Sequence, residues 1–306
     1  MRSARPARAA AEVSDVLRHL GDSLDSQWRR YRKRLKRCQT RFSEKAVHES
    51  RVETRRLQAT IELLGAFIPE KQIERARAEL KNHLDTFDQL RDTHVQLVYV
   101  GHLVDSFAAA RPFRDWLGKR EKKFTTRADK DVKDIRTRRL ARSIAGFDRE
   151  IRRLRKHTTP DKAFETSQLA INRAFARVAQ LCRRVKADDS DTIHRTRIAF
   201  KRFRYMVDAM SPLLPAVTEE HRRAMRGYQS MMGDIQDVEV LLGAFAKFLR
   251  KKEVNTAAAK KLRDELRRRR QWLIRVYLGA ADRLRQFWPP GQPAVQLPKP
   301  PPTPVL

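Results

Sequence analysis

Glycine and proline, the residues that most often interrupt regular structure, are scarce through the first 288 residues of this 306-residue chain. There are ten glycines in all, and eight of the fourteen prolines fall after residue 288. Between the interior prolines Pro69, Pro112, Pro160, Pro212 and Pro215, apolar residues recur at three and four, as in Leu57, Ile61 and Leu64, or Val238, Leu241, Leu242 and Phe245. That period lines one face of an α-helix. No run alternates as a strand does, so the expected fold class is all-α. The spacing predicts helices near 11–39, 43–67, 70–89, 92–109, 113–156, 161–186, 191–210, 217–233, 235–251 and 256–287.

The chain also repeats itself. HESRVETRR (His48 to Arg56) aligns with HRTRIAFKR (His194 to Arg202) at an offset of 146, and Glu62 then falls on Asp208 without a gap. Further on, FDQLRD (Phe87 to Asp92) falls on MGDIQD (Met232 to Asp237) at an offset of 145. A repeat of this length points to a duplicated supersecondary unit. Two similar antiparallel helical bundles of roughly four helices each are therefore expected, over 12–157 and 158–288. Residues 1–11 read as a flexible arm, being Arg/Ala-rich without the apolar core of a secretory signal, and an Arg-rich transit segment is the alternative. Residues 289–306 are Pro-rich and read as a disordered or polyproline-like tail, with docking to a PxxP-reading partner as the alternative.

Charge narrows the function. With 68 Lys and Arg against 37 Asp and Glu the formal net charge is +31, which calls for a polyanionic partner. The longest uncharged stretch, Thr93 to Val104, has twelve residues and two histidines, too short to span a bilayer. Cys38 and Cys182 are too few for a disulfide scaffold and have no metal-site spacing, so a reducing, cytoplasmic compartment is the simpler reading.

At about 100° per residue, His48, Arg51 and Arg55 fall within about 60° of one another, opposite Leu57, Ile61 and Leu64. One side of that helix is cationic and the other faces a core. In the second copy His194, Arg197, Lys201 and Arg204 extend the stripe, flanked by Arg202 as Arg56 flanks the first. Thr192 to Val207 holds five Lys/Arg, one His and no Asp or Glu, so these cations lack the i, i+4 partners of a self-satisfied surface helix. An external anion would supply them. Glu49 and Glu53 temper the first copy, and Gln58 stands where the second has Arg204, so the second half is expected to bind anions more strongly. Arginine suits phosphoryl oxygens through bidentate donation at any physiological pH, and histidine adds a tunable donor.

These residues resemble the CHAD domain (conserved histidine α-helical domain) family, whose pattern of a histidine followed by spaced arginines and lysines occurs twice. LRDTHVQL (Leu90 to Leu97) and MGDIQDVEVL (Met232 to Leu241) are similar to its downstream elements, and the resemblance covers about residues 12–288. It implies two bundles related by pseudo-twofold symmetry, a basic groove between them, and non-catalytic binding of inorganic polyphosphate, in many members beside a CYTH-type triphosphatase domain for which this chain has no room. It also implies association with polyphosphate granules. Carried over by position, the contacts are His48, Arg51, Arg55 and Arg56 in the first half and His194, Arg197, Lys201, Arg202 and Arg204 in the second. Asp88 departs from the pattern where a glycine is usual and Gly233 keeps it, a difference expected to alter a helix junction rather than the pocket.

Other function classes fit less well. Phosphate-ester catalysis normally uses carboxylates to hold Mg²⁺, yet the chain has no Glu-x-Glu, no P-loop and no HExxH, and Asp92 and Asp237 are better suited to orienting arginines or capping helices. No enzyme, cofactor or metal site is expected. Nucleic acid is the serious competitor, since +31 attracts any polyanion through counterion release at low salt. Aromatic residues make up only 8% of the chain and no helix-turn-helix, RRM or zinc finger is recognisable.

Overall fold

The computed structural model describes residues 15–251 and 256–289. The arm expected over 1–11 and all but the first residue of the Pro-rich tail lie outside them. Ten α-helices account for most of the described residues, with no strand among them. They are α1 (Val16–Thr40), α2 (Glu44–Leu64), α3 (Glu70–Asp85), α4 (Asp88–Gly101), α5 (Ala110–Lys133), α6 (Arg138–His157), α7 (Pro160–Cys182), α8 (Ser190–Met210), α9 (Glu219–Lys251) and α10 (Thr256–Gly279). Short 3₁₀ turns follow α8 and α10.

Local chemistry sets many of the starts. The Arg18 amide donates to the Asp15 carboxylate at 2.9 Å, the Ala46 amide to Ser43 Oγ at 3.2 Å, and the His221 amide to Thr218 Oγ1 at 3.1 Å. Each satisfies a donor that the first turn leaves free. Pro160, at the start of α7 behind the Thr159 cap, has no amide hydrogen to satisfy.

Several boundaries differ from those the spacing predicts: the helix expected over 92–109 is α4, which ends at Gly101, and two differences concern whether a helix breaks. The helix expected over 113–156 is two helices, α5 and α6, joined by a turn at 134–137 that contains neither proline nor glycine. Gln39 of α1 makes this break, its amide donating to the carbonyls of Val132 at 3.0 Å and Ile135 at 3.1 Å. Conversely, the break expected between 233 and 235 is absent, and α9 runs through Gly233. A helical glycine costs about 1 kcal/mol relative to alanine, and burial of Met232, Ile235 and Val238 on one face offsets it.

The apolar residues gather in two groups, and both groups draw on both halves of the chain. The larger draws on all ten helices, including Leu90 of α4, Ala128 and Val132 of α5, the first part of α9, and Leu273, Ile274 and Tyr277 of α10. The smaller joins Val100 of α4 and Phe113 and Leu117 of α5 to Phe245 and Phe248 of α9 and Leu262 and Leu266 of α10. Phe113 meets Phe245 edge-on with centroids 4.9 Å apart. The apolar grouping therefore does not divide at 157/158. Within this frame α1 packs on α2 and α7 on α8, while α2 meets α8 and α4 meets α9 across the halves. Those two crossings position the site. No helix among the described residues is long and apolar enough to cross a membrane.

Candidate functional site

Because α2 and α8 pack against each other, the two cationic stripes converge. Lys201 lies at the centre. Burial lowers its pKa first, and the charges of Arg55, Arg197, Arg51 and Arg204 lower it further, to about 7. No carboxylate pairs with it among the described residues. Its ammonium lies 6.0 Å from the Tyr205 ring centroid, and the Arg204 guanidinium lies 4.4 Å from the same centroid. An ammonium with cationic neighbours and no acid partner is held in an unfavourable state until an anion arrives.

Arg51 and Arg197 are matched positions in the two copies, and they differ in one respect. Arg51 is buried, with Nη1 donating to Asp88 Oδ1 and to the Leu84 carbonyl, both at 3.0 Å. The residue matching Asp88 is Gly233, and a Cβ placed there would lie 3.7 Å from Arg197 Nε. Arg197 Nε, Arg55 Nε and His194 Nδ1 are buried and have no hydrogen-bond partner among the described residues. Burial pushes the pKa of both Arg51 and Arg197 below the usual arginine value. The expectation that this departure alters only a helix junction is corrected. Thr86 and Phe87 do separate α3 from α4 where α9 is continuous, but Asp88 also reaches into the site and neutralises Arg51.

The opposite wall comes from α4 and α9. Arg91 of α4 donates to Asp237 of α9, Nη1 to Oδ1 at 3.0 Å, and to Asp92 at 3.0 Å. Asp237 therefore orients an arginine, as its sequence setting suggests. Asp234, one turn earlier on α9, has its carboxyl pKa pushed up to about 6 by burial and by Asp237. Arg91 and Asp234 escape a reading of the motif because they stand on helices other than α2 and α8.

The remaining expected residues separate. Arg204 is buried and already satisfied, donating Nη1 to Asp208 at 2.6 Å and Nε to Gln229 at 2.9 Å. Arg56 is exposed and paired with Glu53 at 2.7 Å. Arg202 turns away, bonding Glu62 of α2 at 2.7 Å in a different groove lined by Leu169 and Ile198. It does not join Lys201. His48 is exposed and makes no hydrogen bond or ion pair among the described residues, whereas His194 is half-buried. Glu49 serves the cations of α1, accepting from Arg34 at 2.9 Å, whereas Glu53 bonds Arg56 and also pairs with Arg30 of α1 at 3.4 Å.

Arg55, Arg56 and Arg204 also line a groove of ≈ 490 Å³ completed by Arg30 of α1, Arg222 and Arg226 of α9, and Tyr205, with Asp208 as its one carboxylate. Arg222 and Arg226 were not legible as site residues, since both sit in an ordinary mixed-charge helix turn and pair with Glu219. The arrangement is a preformed, incompletely neutralised cationic cleft that suits an anion carrying several phosphoryl groups.

Comparison with known proteins agrees with this architecture. The family model described as CHAD domain matches residues 22–246. Two solved structures share the fold. The CHAD domain from the plant Ricinus communis is 17% identical, with TM-score 0.63, covering 86% of this chain and 91% of that one. PptA from Streptomyces chartreusis is 16% identical, with TM-score 0.63, covering 88% and 99%. No curated protein sequence matches the chain.

Proposed function

We propose, from the premise that the chain belongs to the CHAD domain family, that it binds inorganic polyphosphate, without catalysis, in the cleft centred on Lys201. The observation that carries this reading is the set Arg51, Arg55, Arg197 and Arg204 around a lysine with a pKa near 7 and no acid partner. Polyphosphate presents closely spaced negative charges and no bases, so it needs cations and no stacking platform. His48 and His194 are donors at the two ends of the stripes, and Arg56 extends the binding face. The protein associates with polyphosphate granules in the cytoplasm, and the two halves, 12–157 and 158–288, act as pseudo-twofold copies. Matched helix pairings, α1 with α2 and α7 with α8, support that last reading.

The test is calorimetric titration of long-chain polyphosphate into the wild type and R197Q/K201Q at several salt concentrations. The double variant is expected to bind at least tenfold more weakly, with a salt slope shallower by about one to two units, since each neutralised phosphate contributes about 0.7–0.9. Unchanged affinity and slope would show that the cleft is not the site. The competing reading, a general nucleic-acid binder, rests on the net charge of +31.

A further inference from the structure

Helix α1 carries a second concentration of charge that the duplicated motif does not explain. Ser26 to Ser43 contains eight Lys/Arg and no Asp or Glu. Three of these, Arg30, Arg34 and Arg37, turn toward α2, where Glu53 and Glu49 receive them. Arg29, Arg32, Lys33 and Lys36 follow at i, i+3, i+4 and i+7 and share another face of the helix.

That face is built into a groove of ≈ 500 Å³, closed on its far side by Ile135 and Thr137 of the α5–α6 turn. Gln39 holds the turn against α1 through its two bonds to Val132 and Ile135. No carboxylate among the described residues lines the groove. Arg29 pairs with Asp25 at 2.9 Å, but Arg32, Lys33 and Lys36 are exposed and have no carboxylate partner among the described residues. Exposed i, i+4 partners are the usual way to offset such a run, and here they are missing where the wall is most basic.

The α1 groove lies on the other side of α1 from the groove of ≈ 490 Å³ that Arg55 and Arg204 share with the Lys201 cluster. Arg30 lines that groove, and Arg29 and Lys33, next to it in sequence and one turn along, line the α1 groove. The two concavities thus flank one helix, about 10–12 Å across with its side chains.

We propose that the α1 groove is a second subsite for the same phosphate chain. A polymer seated against Arg55 and Arg56 crosses α1 over Arg30 and Lys33 and continues along Arg29, Arg32 and Lys36. The inference rests on the polyphosphate reading of the central cleft. Curvature selects the ligand class. A duplex with a persistence length of about 50 nm cannot bend over a cylinder this narrow. A single-stranded nucleic acid could bend, but it binds through aromatic platforms; no aromatic among the described residues lines the groove, and the Trp28 ring lies beneath the Arg32 guanidinium at 5.7 Å. A flexible, base-free chain meets both conditions. Tethering by the first subsite makes occupation of the second intramolecular, so long chains gain affinity that short ones do not.

The test compares tripolyphosphate, long-chain polyphosphate and single-stranded RNA as ligands for the wild type and R32Q/K33Q/K36Q, with circular dichroism melts to check the fold. The expected result is unchanged tripolyphosphate affinity and a tenfold or greater loss for the long chain. Full retention of long-chain affinity by the triple variant would overturn the proposal, as would a loss confined to RNA, which would assign the groove to nucleic acid. Failure of the wild type to bind tripolyphosphate and long-chain polyphosphate alike would instead overturn the central-cleft reading. R197Q/K201Q separates the two cases, since it is expected to abolish tripolyphosphate binding while R32Q/K33Q/K36Q preserves it.

Discussion

Gly233 leaves Arg197 without the carboxylate that its counterpart Arg51 receives from Asp88. A Cβ at 233 would sit 3.7 Å from Arg197 Nε, an ordinary van der Waals distance, so an aspartate fits there. In the first half the corresponding pair closes at 3.0 Å. G233D is therefore expected to fold with equal or greater thermal stability, because it replaces a helical glycine and neutralises a buried cation. Its affinity for polyphosphate is expected to fall about tenfold, the effect of roughly 1.4 kcal/mol of lost anion attraction. Melting curves and titrations of the same preparations check both halves of this expectation.

Lys201 gives the protein a definite pH signature. Unfolded, the lysine keeps its proton up to its ordinary value of 10.5; folded, burial and then the neighbouring arginines release it near pH 7. Between those values the unfolded state binds more protons, so stability rises with pH across that window. Below pH 7 both states are charged and the folded state carries the full penalty. K201M is expected to remove this rise, seen as the difference between wild-type and variant melting temperatures from pH 6.5 upward.

Anion binding reverses the preference, since a bound phosphate stabilises the ammonium. Above pH 7 the complex must take up a proton, and affinity is expected to fall with pH by up to about tenfold per unit, the limit for one linked proton. Calorimetry in two buffers of different ionisation heat reads the proton directly. An identical apparent enthalpy in both at pH 8 would show that Lys201 does not couple to binding.

Arg204 differs from its neighbours on α8 because its donors are already committed. Losing it strands Asp208, whose carboxyl pKa burial already raises, and leaves Gln229 without its donor. R204A is expected to lower stability by roughly 2–4 kcal/mol, measured by urea unfolding, whereas R197Q/K201Q, which removes buried cations that destabilise the fold, is expected not to lower it.

Arg202 supplies the contrasting control. It bonds Glu62 on another face of α8, so R202Q is expected to leave polyphosphate affinity within about twofold of wild type in the same titration.

The periodicity of the chain carried most of the fold. Helices expected over 43–67 and 191–210 are α2 at 44–64 and α8 at 190–210, because their apolar stripes and caps are local in sequence. The turn at 134–137 was not legible, since it is made by Gln39 from 93 and 96 residues away. Gly233 misled in the other direction: its neighbours are buried deeply enough to carry the helix through it. At the candidate site, spacing placed Arg51, Arg55, Arg197 and Lys201 on the two stripes that the packing of α2 on α8 brings together. Arg202 lies about 100° from Lys201 around the helix, which already sets it off the stripe, and Glu62 captures it there. Arg204 looked unpaired because the acid-free window ends at Val207, one residue before its partner Asp208. Asp237 was legible as a residue that orients an arginine, but that the arginine is Arg91 followed only from the packing of α4 on α9.

The central claim is that the cleft prefers condensed phosphate to other polyanions. Labelled long-chain polyphosphate bound to the protein at about 0.15 M salt, where surface attraction beyond about 8 Å is screened, can be challenged with double-stranded DNA and with RNA. Retention of the label against a large excess of nucleic-acid phosphate is the expected result. Displacement at equal phosphate concentration would contradict it and make the cleft a general polyanion surface.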